Sequence, residues 1–201
     1  MPQVKPIQLL LLVLIISSAT LNAQVPQNAE DISPLLIGEK LPEAMLLDED
    51  GKSVNLNEEI AKKKTVLVFY RGGWCPFCNM QLASLAEAEA EILNLGYQII
   101  AVSPDDYKNL KPSVEKNKAN YKLFADPDGS FLKDIGIAFT PSDGTISYIA
   151  KKTVGKTPEV LPVPTVLVLN TDGEILFEYI SPNYKQRISP ELLLAVLSNL
   201  K

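Results

Sequence analysis

Two largely apolar stretches stand out in the hydrophobic pattern of this chain. Residues 65–70 are apolar without alternation and rich in β-branched and aromatic side chains, and residues 97–102 are predicted to form the next buried strand. Such runs are typical of strands that are buried on both faces. Between them, apolar residues recur every three or four positions across 79–95, which predicts a helix with one face toward the core and Gly96 as its stop.

Shorter signals on either side complete the predicted sheet. Residues 44–47 and 53–56 flank an Asp-Gly turn and predict a hairpin. A short strand is predicted at 121–125, and a second hairpin at 163–169 and 174–180. Strands that alternate with helices and then end in a hairpin predict an α/β domain, a mixed sheet with helices on both faces.

The remaining helices are predicted from capping signals. Asn57 is placed to cap a short helix that ends near Ala61, and Ser189 starts a final helix that runs to about Leu197. Asp105 and Asp106 follow Ser-Pro and are interpreted as acids at a helix start rather than as catalytic groups. Residues 130–135 predict a brief helix, whereas 136–160 have no firm period and are expected to be an excursion that borders the site.

Composition narrows the possible chemistry. The 201 residues contain no histidine, two cysteines and a net charge of −5. The absence of histidine excludes a histidine general base and histidine metal ligands, and two cysteines cannot complete a usual zinc site. We therefore expect no metal and no cofactor. The basic triplet 62–64 is interpreted as a solvated helix end, so nucleic acid is not an expected partner.

The first 23 residues have the pattern of a secretory signal. Lys5 precedes an apolar core at 9–16, and small and polar residues lead to a predicted cleavage near Ala23. The core is too short to span a bilayer, so contact with the membrane is expected only through the cleaved signal. The sequence thus predicts a signal peptide (1–23), an exposed lead-in (24–40) and one domain (41–201), in a periplasmic or secreted protein.

Cys75 and Cys78 are the only cysteines, and they lie between the first buried strand and the long helix. A thiol at a helix N-terminus has a lowered pKa, and only the thiolate is a nucleophile. Pro76 suits the first helical turn, and Cys75 is expected to be exposed there. The pair is predicted to be a redox couple, with a structural disulfide as the alternative. The short loop between the cysteines favours redox use.

The order of these elements resembles the thioredoxin fold, and more closely the peroxiredoxin-like branch of the alkyl hydroperoxide reductase/thiol-specific antioxidant (AhpC/TSA) family. The resemblance covers about residues 35–201 and implies a central mixed β-sheet flanked by helices, with an N-terminal hairpin extension. Its motifs are Phe69-Tyr70-Arg71-Gly72-x-Trp74-Cys75-Pro76-Phe77-Cys78, Ala101-Val102-Ser103-Pro104, Leu161-Pro162-Val163-Pro164-Thr165 and Pro182-Asn183-Tyr184-x-x-Arg187.

The resemblance implies a role for each matching residue. Cys75 would be the nucleophilic, peroxidatic thiolate and Cys78 the resolving thiol, with a Cys75–Cys78 disulfide as the intermediate that a thioredoxin-like thiol donor reduces. Arg71 is a candidate to stabilise the thiolate or an oxyanion. The remaining candidates are substrate-binding Trp74, Pro76, Val163, Pro164 (as a cis-proline beside the cysteines) and Thr165, with Tyr184 and Arg187 as weaker ones.

Three positions depart from the two related families. Typical peroxiredoxins have proline at the position of Val68 and Thr or Ser at the position of Gly72. Typical thioredoxins have a buried acid at the position of Phe69. Two enzymatic hypotheses therefore stay open: peroxide reduction by an antioxidant oxidoreductase, and disulfide reduction or exchange. A binding module with a structural disulfide is the non-enzyme alternative.

Overall fold

A computed structural model describes residues 24–200, and the predicted signal peptide lies outside them. Its centre is a seven-stranded mixed sheet with the strand order β2-β1-β5-β4-β3-β8-β9, and β6 and β7 form a separate two-stranded sheet. The strands are β1 Met45–Leu47, β2 Ser53–Asn55, β3 Lys64–Phe69, β4 Tyr97–Ser103, β5 Lys122–Ala125, β6 Ala138–Phe139, β7 Leu161–Pro162, β8 Thr165–Leu169 and β9 Ile175–Ile180.

The helices lie on both faces of the sheet, as the alternation of elements predicts. Two 3₁₀ turns, Ala29–Asp31 and Tyr107–Asn109, accompany them. The α-helices are α1 Leu56–Ile60, α2 Pro76–Asn94, α3 Leu110–Asn117, α4 Ser130–Asp134, α5 Asp143–Ala150 and α6 Pro190–Asn199. In the part of the chain that the structure describes, no helix has the length and apolar character needed to cross a membrane.

Strand β3 is the middle of the core because both of its faces are covered. Val66, Val68 and Tyr70 face one hydrophobic cluster, whereas Leu67 and Phe69 face the other. Side chains alternate between the faces of a strand, so an apolar run without alternation supplies both clusters. β3 pairs in parallel with β4 and antiparallel with β8, which brings the ends of three segments to one edge of the sheet.

Helix α2 packs its apolar stripe against this core and ends one residue before the predicted position. Leu82, Leu85 and Ile92 are buried in the first cluster, but Leu95 is 39% exposed because it lies beyond the last helical residue. Gly96 follows with φ +92°, the left-handed conformation that commonly ends a helix.

One predicted helix cap and one of two predicted helix-start acids are wrong. Asn55, rather than Asn57, caps α1, because its side chain accepts hydrogen bonds from the backbone N–H groups of Asn57 and Glu58. Asp105 does not begin a helix either. Asp106 caps the 3₁₀ turn before α3, since its side chain accepts from Lys108 N–H, whereas Asp105 is 1% exposed and turns inward.

Residues 24–40 contain no fully buried position, yet they are attached to the domain. Leu35 N–H donates to the carbonyl of Ile135 at 3.2 Å, and Thr140 N–H donates to the carbonyl of Pro26 at 2.8 Å. Val25 and Leu35 also pack on the second hydrophobic cluster. The lead-in therefore lies along the domain surface.

Candidate active site

The two cysteines lie where β3 turns into α2, as the sequence predicts. Cys75 is the N-cap of the helix, Pro76 is its first residue, and Cys78 lies in its first turn. Cys75 N–H donates to the carbonyl of Gly72 at 3.1 Å, which closes the tight turn between strand and helix. Residues three apart on a helix are neighbours, so the geometry brings the two thiols to one side of the helix.

The surroundings separate the pKa values of the two thiols. The Cys78 thiol is placed to donate to the Cys75 sulfur and lowers the pKa of Cys75 to about 6; Cys78 N–H, Arg71 and Arg187 act in the same direction. Burial raises the pKa of Cys78 well above its usual value, and the neighbouring Cys75 adds to the shift. Near neutral pH the pair thus consists of a thiolate at Cys75 and a thiol at Cys78.

The expected exposure of Cys75 is wrong. The residue is 1% exposed, and Cys78 is fully buried in the first hydrophobic cluster. Cys75 nevertheless borders an open groove of about 540 Å³. Side chains of the 136–160 segment and of the chain after β9 line this groove around the helix N-terminus, which the strand–helix motif alone does not reveal.

Aromatic side chains form the walls of this groove, and the predicted site residues Trp74 and Tyr184 are among them. Trp74 meets Tyr148 edge to face at 6.0 Å between ring centroids, and Phe77 meets Tyr184 at 5.7 Å. Pro76 also lines the groove, together with Ser142, Gly144 and Thr145 from the start of α5. The 136–160 excursion therefore borders the site, as the sequence indicates.

Two arginines lie near the cysteines, and both lower the pKa of Cys75. The Arg71 guanidinium lies between the rings of Trp74 and Tyr184, 4.9 and 4.5 Å from their centroids. Arg187 donates from Nη2 to Cys78 Sγ at 3.6 Å. The arginine that contacts a thiol in the structure is thus Arg187, and its partner is the second cysteine.

The structure contradicts the cis-proline expected at Pro164: the Val163–Pro164 peptide bond is trans, like every peptide bond of the described residues. Val163, Pro164 and Thr165 are buried and do not line the groove. Val163 N–H donates to Ile137 at 2.9 Å and Ser181 N–H to Pro164 at 3.1 Å, so backbone on both sides covers the segment. Only its position beside the end of β3 agrees with the prediction, through the pairing of Thr165 with Phe69.

Asp105 lies beside the cysteine loop, although its sequence context indicates only a helix start. Its Oδ2 accepts a hydrogen bond of 2.8 Å from Gly73 N–H in the loop before Cys75. Burial raises the pKa of Asp105 to about 7. A topological signal was available, because parallel strands β3 and β4 end at the same edge and the residues after β4 must lie beside the loop after β3.

The conformation of the same loop explains Gly72. Its φ is +137°, and a Cβ atom at this position would stand 2.4 Å from Trp74 Nε1 and 2.5 Å from Asp105 Oδ1. No side chain fits there without displacing the indole or the carboxylate. The hydroxyl residue of typical peroxiredoxins is therefore replaced by a glycine that packs against a buried acid.

Comparison with known proteins identifies the family of this chain. The model of the AhpC/TSA family matches residues 37–177. The chain is 31% identical over 145 residues to a putative peroxiredoxin bcp of Haemophilus influenzae, covering 72% of this chain and 86% of that one. It is 29% identical over 143 residues to peroxiredoxin bcp1 of Schizosaccharomyces pombe, covering 69% and 73%.

Solved structures show the same fold. Reduced Prx3 of Vibrio vulnificus superposes with a TM-score of 0.70 at 21% identity, covering 82% of this chain and 99% of that one. The peroxidoxin BcpB of Mycobacterium tuberculosis gives 0.65 at 19% identity, with 82% and 97% covered. The fold is the thioredoxin-like fold of these proteins, and the chain belongs to the AhpC/TSA family as an oxidoreductase of the peroxiredoxin type.

Proposed function

We propose that this enzyme reduces peroxides through a dithiol–disulfide cycle of Cys75 and Cys78 and that a thioredoxin-like thiol protein restores the dithiol. Its family membership sets aside the alternative of a binding module with an inert disulfide. The observation that carries the proposal is the separation of the two pKa values, because it prepares one sulfur as nucleophile and keeps the other protonated.

In the first step, the Cys75 thiolate attacks one oxygen of the peroxide and the O–O bond breaks. Cys75 becomes a sulfenic acid, and the second oxygen leaves as an alkoxide or hydroxide that takes a proton from the solvent in the groove. Arg71 supplies positive charge beside this reaction, since its guanidinium lies between two rings that line the groove. It is the candidate for stabilising the departing oxygen.

In the second step, Cys78 attacks the Cys75 sulfenic acid, and water leaves as the disulfide forms. Arg187 Nη2 lies 3.6 Å from Cys78 Sγ, so its charge stabilises the developing thiolate. A thiol donor then attacks the disulfide and releases the dithiol through a mixed disulfide.

The burial of the site favours peroxide over a protein disulfide as the oxidant. Cys75 is 1% exposed, and Val163, Pro164 and Thr165 are covered. An extended polypeptide substrate needs an accessible backbone edge beside the nucleophile, whereas a peroxide needs only the groove. Disulfide reduction remains the second candidate, because the CxxC pair is chemically capable of it.

Export is part of the proposal and rests on the first 23 residues, which have the signal pattern. An oxidising compartment would keep the pair in its disulfide form unless a dedicated thiol donor is present. Expression of the full chain in a bacterium, followed by fractionation and mass measurement, tests this point. A protein that stays in the cytoplasm with its leader intact would contradict it.

The two enzymatic hypotheses are separated by rates measured side by side. The reduced mature protein should consume hydrogen peroxide at least about tenfold faster than it reduces a model disulfide such as insulin. Cys75→Ser should abolish both activities. Cys78→Ser, the matched control, should still react once with peroxide. Faster turnover of the disulfide, or wild-type peroxide consumption by Cys75→Ser, would overturn the proposal.

A further inference from the structure

Several buried polar atoms behind the cysteine loop have no hydrogen-bond partner among residues 24–200. They are Tyr70 Oη, Trp74 Nε1, Ser103 Oγ and Asp105 Oδ1. Buried polar groups are normally paired, so a group of unpaired ones at an active site calls for an explanation. The steps described above do not use any of them.

These atoms form one cluster around Asp105. Trp74 Nε1 and Asp105 Oδ1 both lie within 2.5 Å of the point where a Cβ on Gly72 would stand. Burial raises the pKa of Tyr70, both Asp105 and the Cys78 thiol add to this shift, and the nearby Ser103 hydroxyl opposes it. The Tyr70 hydroxyl thus has both the carboxylate and the second cysteine among its electrostatic neighbours.

Asp105 forms no ion pair among the described residues. Oδ2 accepts from Gly73 N–H at 2.8 Å, and the residue is 1% exposed. Oδ1 has only the Trp74 indole N–H beside it, which opposes the rise of the pKa of Asp105. The titratable groups that face it are Asp106 beside it, Cys75 on the loop and Tyr70 at the end of β3, and a charge on either of the first two raises its pKa further. Lys116 and Lys152 face it across a second cavity. The carboxyl therefore changes its protonation near neutral pH.

A second cavity connects this carboxyl with the exterior. It has a volume of about 200 Å³ and is lined by Asp105, Ser113, Lys116 and Lys152. Trp74 separates it from the substrate groove, since its side chain borders both. Asp105 thus has a polar route to solvent that does not pass through the groove.

Cys78 needs such a partner because it cannot lose its proton unaided near neutral pH. It is fully buried, and burial raises its pKa well above the usual value. Attack on the Cys75 sulfenic acid requires the thiolate. Phe69 lies on the opposite face of β3, in the second cluster, and has no acid–base group.

We propose that Asp105 is the buried proton acceptor of the resolving step, taking the Cys78 proton by way of the Tyr70 hydroxyl and returning it to solvent through the second cavity. The inference rests on the proposed dithiol cycle. As Cys78 attacks, its S–H bond breaks, the S–S bond forms and the S–O bond of Cys75 breaks. The departing hydroxide takes a solvent proton and leaves as water, so no further oxidant is needed.

Asp105→Asn is the decisive variant, because asparagine keeps an oxygen for Gly73 N–H but cannot take a proton. Asp126→Asn is the matched control. Asp126 follows the neighbouring strand β5, is also buried, and has its pKa raised by burial, but its Oδ2 accepts from Leu132 N–H on the other side of the sheet. Urea unfolding of both variants verifies that each is folded.

Disulfide formation is measured by rapid acid quench and mass spectrometry, which separate sulfenic acid from disulfide. In the wild type, the rate should rise with pH through about 7 and then level off. Asp105→Asn should form the disulfide about 10²-fold more slowly at about pH 8, and its rate should no longer change slope near pH 7. The rate of disulfide formation in Asp126→Asn should stay within about twofold of the wild-type rate. An Asp105→Asn profile that matches the wild type would overturn the inference.

Two further measurements keep the test independent of the peroxide reaction. If peroxide yields no sulfenic acid, the proposed function fails, and the same variants are compared in reduction of the disulfide by dithiothreitol. There Cys78 leaves as a thiolate and recovers its proton from Asp105, so Asp105→Asn should be slower at about pH 6. In the unmodified protein, dithiol-minus-disulfide infrared spectra near pH 7 should contain a buried-carboxyl band; its absence would overturn the inference.

Discussion

Replacement of Gly72 by threonine would restore the residue type of typical peroxiredoxins, yet we expect it to damage this enzyme. The backbone at Gly72 has φ +137°, which L-residues rarely adopt, at a cost of about 1–3 kcal/mol. The new Cβ would also stand 2.4 Å from Trp74 Nε1 and 2.5 Å from Asp105 Oδ1. Overpacking of this kind costs about 1–3 kcal/mol more.

Together these costs amount to about 2–6 kcal/mol, a large part of the usual stability of a domain. Neither neighbour can move cheaply, because Asp105 is fixed by Gly73 N–H and Trp74 packs against Tyr148 and Arg71. The added hydroxyl would thus displace the loop that carries Cys75. We expect Gly72→Thr to lower both the free energy of unfolding and the rate of peroxide consumption.

Gly96→Ala is the matched control for the backbone contribution. Gly96 has φ +92°, and no heavy atom lies within 4 Å of its Cβ position, so this variant measures backbone strain alone. In urea unfolding, Gly72→Ala should cost about 1–3 kcal/mol more than Gly96→Ala. Equal costs, or a Gly72→Thr enzyme that consumes peroxide faster than the wild type, would refute the reasoning.

Three further predictions concern charge and protonation. Cys78→Ser should accumulate the Cys75 sulfenic acid after one equivalent of peroxide, seen by trapping with dimedone; rapid turnover without a trapped adduct would contradict the role of Cys78. Arg187→Gln should move the pH midpoint of Cys75 alkylation by iodoacetamide above its wild-type value near 6, because one of the charges that lower the pKa of Cys75 is lost. Lys185→Gln, at an exposed position, is the control. Alkylation profiles of Arg187→Gln and wild type that coincide would contradict the role of Arg187. The folded state raises the pKa of Asp105 from 3.8 to about 7 and so binds the extra proton, and stability should fall by about 4 kcal/mol as pH rises from about 4 to 7. In urea unfolding across this pH range, Asp105→Asn should not show this loss of stability. A variant whose stability falls with pH in parallel with that of the wild type would contradict the prediction.

The fold followed from the sequence because its strongest signals were local. A short apolar run without alternation that is rich in β-branched and aromatic side chains is typical of a strand covered on both faces, and β3 supplies both hydrophobic clusters. The turn at Asp48–Gly51 fixed the hairpin, and the stripe on α2 fixed the face of the long helix. The position of Cys75 as the N-cap of that helix followed from the strand predicted before it and the helix predicted after it.

The details of the site depended on contacts between distant segments. Asp105 resembles a helix-start acid in sequence, but the pairing of β3 with β4 carries it beneath the Gly72–Gly73 turn. Pro164 resembles an accessible platform, but backbone from Ile137 and Ser181 covers it. The burial of Cys75 depends on the same long-range packing, because no local pattern in the sequence records which side chains close over a helix N-terminus.

The central claim is that Cys75 and Cys78 act as one redox pair toward peroxide. The most direct test is a thiol count and peptide mass on the reduced protein after one equivalent of hydrogen peroxide. Both free thiols should disappear together, and the peptide containing them should become lighter by two hydrogen atoms. A stable sulfenic acid on Cys75 with a free thiol on Cys78, or two unreacted thiols, would contradict it.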